Sequence, residues 1–260
     1  MIPEILTTIA GGNLVLIGLI GGTVGAVLNL LGAIPVLFFR SPPKTLIDIG
    51  LGFAAGVMLA ASFTSLILPG IEYGGIFAVV VGIVIGAVTI SLIDYMMPHL
   101  HFVKGREGRV LSRLRAIWLF VIAVTIHNLP EGLAVGVGFG SGDLVAGASL
   151  MLAIGFQNIP EGLSVGFSLL ATENYSRRKA YTISVASGFV EPPLALLGAS
   201  LTSIFTGIIP YAMGFAAGAM IYVVSDEIVP EIHRSGGERT STYSLIAGLI
   251  VMLILDVILS

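Results

Sequence analysis

HNLPEGLAVG at 127–136 and QNIPEGLSVG at 157–166 are two versions of one phrase, each embedded in an apolar run, 116–139 and 144–170. About 20 apolar residues suffice to cross a hydrocarbon core about 30 Å thick, so each run is long enough to span a bilayer as a helix. Consecutive spans cross in opposite directions, so the phrase is read once in each sense. His127 and Glu131 are four residues apart and share a helix face, as do Gln157 and Glu161. At 1.5 Å per residue, His127 lies about 16 Å into its run and Gln157 about 20 Å into the next from the opposite side, so both sets reach mid-membrane. Pro130 and Pro160 remove a backbone donor in each run and are expected to kink the helices, freeing carbonyls of the preceding turn.

Outward from this pair, the 260-residue chain is 56% hydrophobic and only 10% charged, with a mean hydropathy of +1.03; soluble domains carry about 25% charged residues. The expected class is an all-α integral membrane protein, since helices satisfy their own backbone hydrogen bonds in lipid. The 34 glycines suit close helix packing in a bundle. With no cysteine, neither disulfides nor thiolate ligands are available, and any metal site must use N and O donors. The start, Met-Ile-Pro-Glu, lacks a basic n-region, so the first apolar run is expected to be a retained span.

Apolar runs at 13–39, 46–69, 75–97, 116–139, 144–170, 180–205, 208–229 and 242–259 predict eight spans in one transmembrane domain covering 1–260. All twelve basic residues fall in alternate loops: Arg40 and Lys44; Lys104, Arg106, Arg109, Arg113 and Arg115; Arg177, Arg178 and Lys179; Arg234 and Arg239. The positive-inside rule makes those loops cytoplasmic and both termini extracytoplasmic. A second repeat, GFAAGVM at 52–58 and GFAAGAM at 214–220, also falls on spans running in opposite senses. Inverted repeats of this kind mark transporters that alternate between two openings around a central site.

Ionisable groups at mid-membrane are costly and mark functional sites. A bound cation is a fitting partner: imidazole, carboxylate and amide oxygen suit Zn²⁺ and accept Fe²⁺, Mn²⁺, Co²⁺ or Cd²⁺. Asn128, Asn158 and Glu191, the last in EPP on the sixth span, are candidates for a second, adjoining site bridged by Glu131 and Glu161. An empty site with three carboxylates is expected to hold protons.

HNLPEG followed thirty residues later by QNIPEG resembles the ZIP family of zinc and iron transporters, in its compact prokaryotic form: only a short loop separates the third and fourth spans. The resemblance covers essentially the whole chain. It implies eight helices with both ends outside, a primary metal site of His127, Glu131, Gln157 and Glu161, and a secondary one in which Asn128, Asn158 and Glu191 join the two glutamates. Some members carry Asp where Asn158 stands. It also implies zinc as substrate with no organic cofactor, a multi-pass plasma-membrane location, and no enzyme activity; homodimerisation is left open.

Peripheral candidates follow. Asp94, His99 and His101, and Asp226, Glu227, Glu231 and His233, lie at the cytoplasmic ends of the third and seventh spans and read as exit ligands or as solvated helix ends. Ser65, Glu72 and Asp256 lie at the outer face as cation-steering groups, the resemblance favouring Ser65 and Asp256. Glu4 and Asp143 carry no signal beyond exposed loops. GLSVG at 162–166 fits G-x-S-x-G, but a nucleophile elbow needs a strand-to-helix turn, so helix packing is expected. Nothing basic and aromatic enough to bind nucleic acid is present, and the basic cluster at 104–115 could meet anionic lipid. Two rival functions remain: an intramembrane metallohydrolase, disfavoured because H-E-x-x-H is absent, and a proton- or sodium-coupled carrier of an organic solute using the three glutamates.

Overall fold

The computed structural model describes residues 2–39, 44–96, 100–101, 105–106, 113–171, 175–230 and 238–259. These are almost entirely helical: α1 (Ile2–Ala10), α2 (Leu14–Ala33), α3 (Lys44–Ala61), α4 (Leu68–Met96), α5 (Arg113–Gly140), α6 (Leu144–Ala171), α7 (Arg177–Gly188), α8 (Glu191–Ile204), α9 (Ile209–Val223) and α10 (Glu238–Leu259), with a two-residue antiparallel ladder between Leu100–His101 and Gly105–Arg106. Among the described residues, five helical stretches are long and apolar enough to cross a membrane: Leu14–Leu37, Asp48–Ile93, Arg177–Ile204, Thr206–Asp226 and Arg239–Ile258. The second of these is 46 residues long, about 69 Å of helix and twice the thickness of a hydrocarbon core. It is broken at Gly75, whose φ of 80° and ψ of 164° are not helical. Helices α5 and α6 hold the repeated phrase and are 28 residues each, about 42 Å.

Local chemistry sets the boundaries. Asn13 caps α2, its Oδ1 accepting from Val15 N at 3.0 Å and Leu16 N at 3.2 Å, and thereby meets donors that a helix start leaves orphaned. Asp143 does the same for α6, accepting from Val145 N at 3.1 Å and Ala146 N at 3.0 Å. Its role is therefore a cap. The tight turn before it passes through Gly142 at φ 92° and sends α6 back along α5. The short helix α1 precedes the first expected span and was not foreseen from the pattern.

The sixth expected span is not one helix. It breaks between Gly188 and Glu191, because Pro192 and Pro193 lack N–H groups and their rings collide with the carbonyls four residues back. In the first turn of α8 the same residues cost nothing. Pro130 and Pro160 sit inside continuous helices.

Packing divides the helices into two sets. In one, α2 lies on α6 and α8, and α5 on α8; in the other, α4 lies on α9 and α3 on α10; α3 with α6 and α5 with α9 join the sets. The GFAAGxM glycines do equivalent work in the second set. A Cβ on Gly56 would fall 1.9 Å from the Leu245 carbonyl of α10, and one on Gly218 would fall 2.2 Å from the Ile83 carbonyl of α4. Backbones meet there with no side chain between them, the small-residue contact expected of helices in lipid. Each motif also runs into a π-helical segment, Ser62–Ile67 after the first and Val224–Ile228 after the second, a geometry frequent at functional sites. GLSVG lies within α6, where a Cβ on Gly162 would meet the Asn29 carbonyl at 2.2 Å and one on Gly166 would meet Val36 at 2.4 Å, as the packing reading requires.

Candidate metal centre

The polar residues of the repeated phrase converge where α5, α6 and α8 meet. Asn128, Glu131, Gln157, Asn158 and Glu191 are all 0% exposed, and Glu161 is 5% exposed. The Gln157 Nε2 donates to Glu131 Oε1, tying α6 to α5. The Asn158 Nδ2 donates to Glu191 Oε1 at 2.7 Å, tying α6 to the first turn of α8. Asn128 donates to the Ser187 carbonyl at 3.0 Å, in the last turn of α7, where the break leaves carbonyls without helical partners. Glu161 follows Gln157 by one turn, within electrostatic reach of both Glu131 and Glu191.

A common pattern runs through the three amides. Each spends its NH₂ on a carboxylate or carbonyl, while Asn128 Oδ1, Gln157 Oε1 and Asn158 Oδ1 accept nothing, and Glu191 Oε2 is likewise without a hydrogen-bond partner. Buried acceptors are ordinarily satisfied. A set of oxygens left over beside carboxylates is chemistry for a cation, since oxygen and imidazole donors hold divalent ions. Among the described residues no three His, Asp or Glu side chains already form a metal cage. His127 is on α5, one turn before Glu131; its side chain lies outside the described atoms.

Helix α2 closes the site from the side that sequence reasoning overlooked. A Cβ on Gly25 would fall 2.1 Å from Glu191 Oε2 and 3.2 Å from Asn158 Nδ2, so the carboxylate rests against bare helix backbone. Across the site, Gly132 of α5 faces the Glu191 backbone, its Cβ position 2.6 Å from that carbonyl. The signal for α2 was present in its glycines and in Asn29, a lone amide in an apolar run.

Of the outer candidates, Ser65 and Asp256 are brought together from positions 191 residues apart: Ser65 Oγ donates to Asp256 Oδ1 at 3.2 Å, joining the first π segment to α10. Glu72 is exposed and Asp226 is half-buried within the second π segment. Asp94 lies near the end of α4, His101 in the short ladder and Glu227 in the second π segment, with side chains outside the described atoms. His99, Glu231 and His233 lie outside the described residues.

Comparison with known proteins gives the geometry its context. A model described as "ZIP Zinc transporter" matches residues 103–256. The chain is 42% identical to the zinc transporter ZIPB of Bordetella bronchiseptica, over 98% of this chain and 86% of that protein. It is 36% identical to the zinc transporter GufA of Myxococcus xanthus, over 92% and 97%, and 36% identical to the human zinc transporter ZIP11, over 87% and 92%. Similarity at this level over nearly full length, with the doubled phrase inside the matched region, means that the chain belongs to the ZIP zinc transporter family.

Proposed function

We propose that this multi-pass membrane protein carries divalent transition-metal ions, zinc foremost, from outside the cell into the cytoplasm. The reading has one transmembrane domain of eight crossings, with the break at 189–190 inside the sixth, both termini outside, and the plasma membrane as its location. The ion binds first to His127, Glu131, Gln157 and Glu161, and the two glutamates bridge to a second position formed with Asn128, Asn158 and Glu191. The observation that carries this is the set of buried oxygens, Asn128 Oδ1, Gln157 Oε1, Asn158 Oδ1 and Glu191 Oε2, left without hydrogen-bond partners at the junction of three helices. The relatives' printed names as zinc transporters favour zinc as the ion.

Each residue type has a task. The carboxylates supply charge that offsets desolvation of a doubly charged ion, the imidazole adds a borderline donor suited to zinc, and the amide oxygens coordinate without adding charge, which keeps release feasible. Alternating access fits two helix sets that meet across the α3–α6 and α5–α9 contacts. The Ser65–Asp256 pair belongs, on this reading, to the outer mouth, and Asp226 and Glu227 to the inner one. Zn²⁺ uptake into proteoliposomes tests the proposal: His127→Ala and Glu131→Ala are expected to abolish flux while the variants still fold, and undiminished flux from both overturns it.

A further inference from the structure

Asn29 is 0% exposed on α2, and neither Nδ2 nor Oδ1 has a hydrogen-bond partner. An amide buried in an apolar bundle with both ends unsatisfied is strongly disfavoured unless something else engages it. It follows Gly25 by one helical turn, and residues four apart share a helix face, so it lies on the face of α2 that touches Glu191 and Asn158. Its side chain occupies the gap between two glycines. A Cβ on Gly188 would fall 2.8 Å from Asn29 Cγ, and one on Gly162 would fall 3.1 Å from Oδ1. Gly162 directly follows Glu161, and Gly188 ends α7 at the break. The amide is thus wedged between the bridging glutamate's helix and the last turn of α7, whose carbonyls have lost their helical donors.

We infer that Asn29 is a further oxygen ligand for the transported ion, a station one turn beyond Glu191 where the side-chain amide and the carbonyls at the α7 break receive the ion as it leaves the glutamates. The inference rests on the transport reading above. With α2 running inward, this station is on the cytoplasmic side. All its donors are oxygen, so it suits a partly hydrated divalent cation and binds zinc less tightly than a site containing imidazole. An ion passing from the carboxylates to neutral oxygens is being released in steps.

The chain contains no cysteine, which permits a direct test. N29C places one thiol in the protein, and titration with Cd²⁺ is expected to produce an ultraviolet thiolate-to-cadmium charge-transfer band that the wild type cannot give. Absence of the band, in an N29C protein that still binds Cd²⁺ by calorimetry, overturns the inference. In proteoliposomes, N29L, which keeps the branched shape and heavy-atom count but has no donor, is expected to lower Zn²⁺ flux by about tenfold or more, whereas N29D retains a ligand oxygen and keeps most of the flux. Equal flux in N29L and wild type also overturns it. Failure of the wild type itself to bind or move metal overturns the transport reading, a result distinguishable from wild-type transport that is indifferent to residue 29.

Discussion

Gly25→Ala adds one methyl group and removes no ligand, yet it is expected to disable the second ion position. The new Cβ would lie 2.1 Å from Glu191 Oε2, whereas ordinary contact begins at 3.4 Å, so the carboxylate or α2 must retreat by roughly 1 Å in a close-packed interior. The carboxylate's other oxygen accepts from Asn158 at 2.7 Å, and Gly132 presses on the Glu191 backbone, so little free travel remains. Helix propensity works the other way: Ala is favoured over Gly by about 1 kcal/mol in a helix interior, so lost function cannot be assigned to a weakened α2. Disturbing the surroundings of a metal ligand typically costs about 10–100-fold in affinity or activity, and a decrease of that size in Zn²⁺ flux is expected in proteoliposomes. Gly207→Ala is the matched control, since its Cβ meets nothing within 4 Å and flux is expected to be unchanged. Wild-type flux and affinity in G25A would show that Glu191 is not held where the ion needs it, and would refute the reasoning.

Other expectations follow from the same structure. Because His and Glu must lose their protons to bind metal, uptake is expected to weaken as external pH falls below about 6.5, near the ordinary histidine value; a flat flux profile between about pH 5 and 7.5 would count against these ligands. Gly56→Ala is expected to force α3 and α10 apart, since its Cβ would sit 1.9 Å from the Leu245 carbonyl; overpacking costs about 1–3 kcal/mol, measurable as a lowered thermal midpoint in detergent. Ser65→Ala removes the donor to Asp256; a side-chain hydrogen bond of this kind is worth about 1 kcal/mol, so the apparent affinity for external ion is expected to change severalfold without loss of maximal flux.

Much of the site was legible because its chemistry is local and repeated. The i, i+4 spacing of His127 with Glu131 and of Gln157 with Glu161 fixes a shared face on each helix, and two adjacent antiparallel helices must then set Glu131 opposite Gln157, as their hydrogen bond shows. Glu191 stood out as a candidate because a carboxylate in an apolar run needs a partner, and its Oε1 accepts from Asn158. Helix starts fall at Asn13 and Asp143 and a helix break at Gly75, where Asn, Asp and Gly punctuate the apolar pattern.

What escaped was information that only packing supplies. The break before Glu191 was written in its two prolines, but apolar continuity across 180–205 outweighed them; the same prolines that end α7 also free the Ser187 carbonyl taken by Asn128. The part played by α2 was hidden because glycine carries no signal of its own: Gly25 matters only for what lies against it. Asn29 was passed over as a single amide without the doubled spacing that made the other polar residues conspicuous. The π segments after the two GFAAGxM motifs have no residue signature that separates them from α-helix, since they depend on an inserted residue being accommodated between packed neighbours.

The central claim, that one divalent ion is held among the mid-membrane side chains of α5 and α6, is tested most directly by anomalous diffraction from crystals grown with Zn²⁺ or Cd²⁺. The expected result is a peak between the Glu131, Gln157 and Glu161 side chains, with oxygen ligands about 2.0–2.2 Å away in the zinc form and Gln157 turned to present its oxygen. Transport-competent protein with no peak there, or with metal only on the surface, would contradict the account.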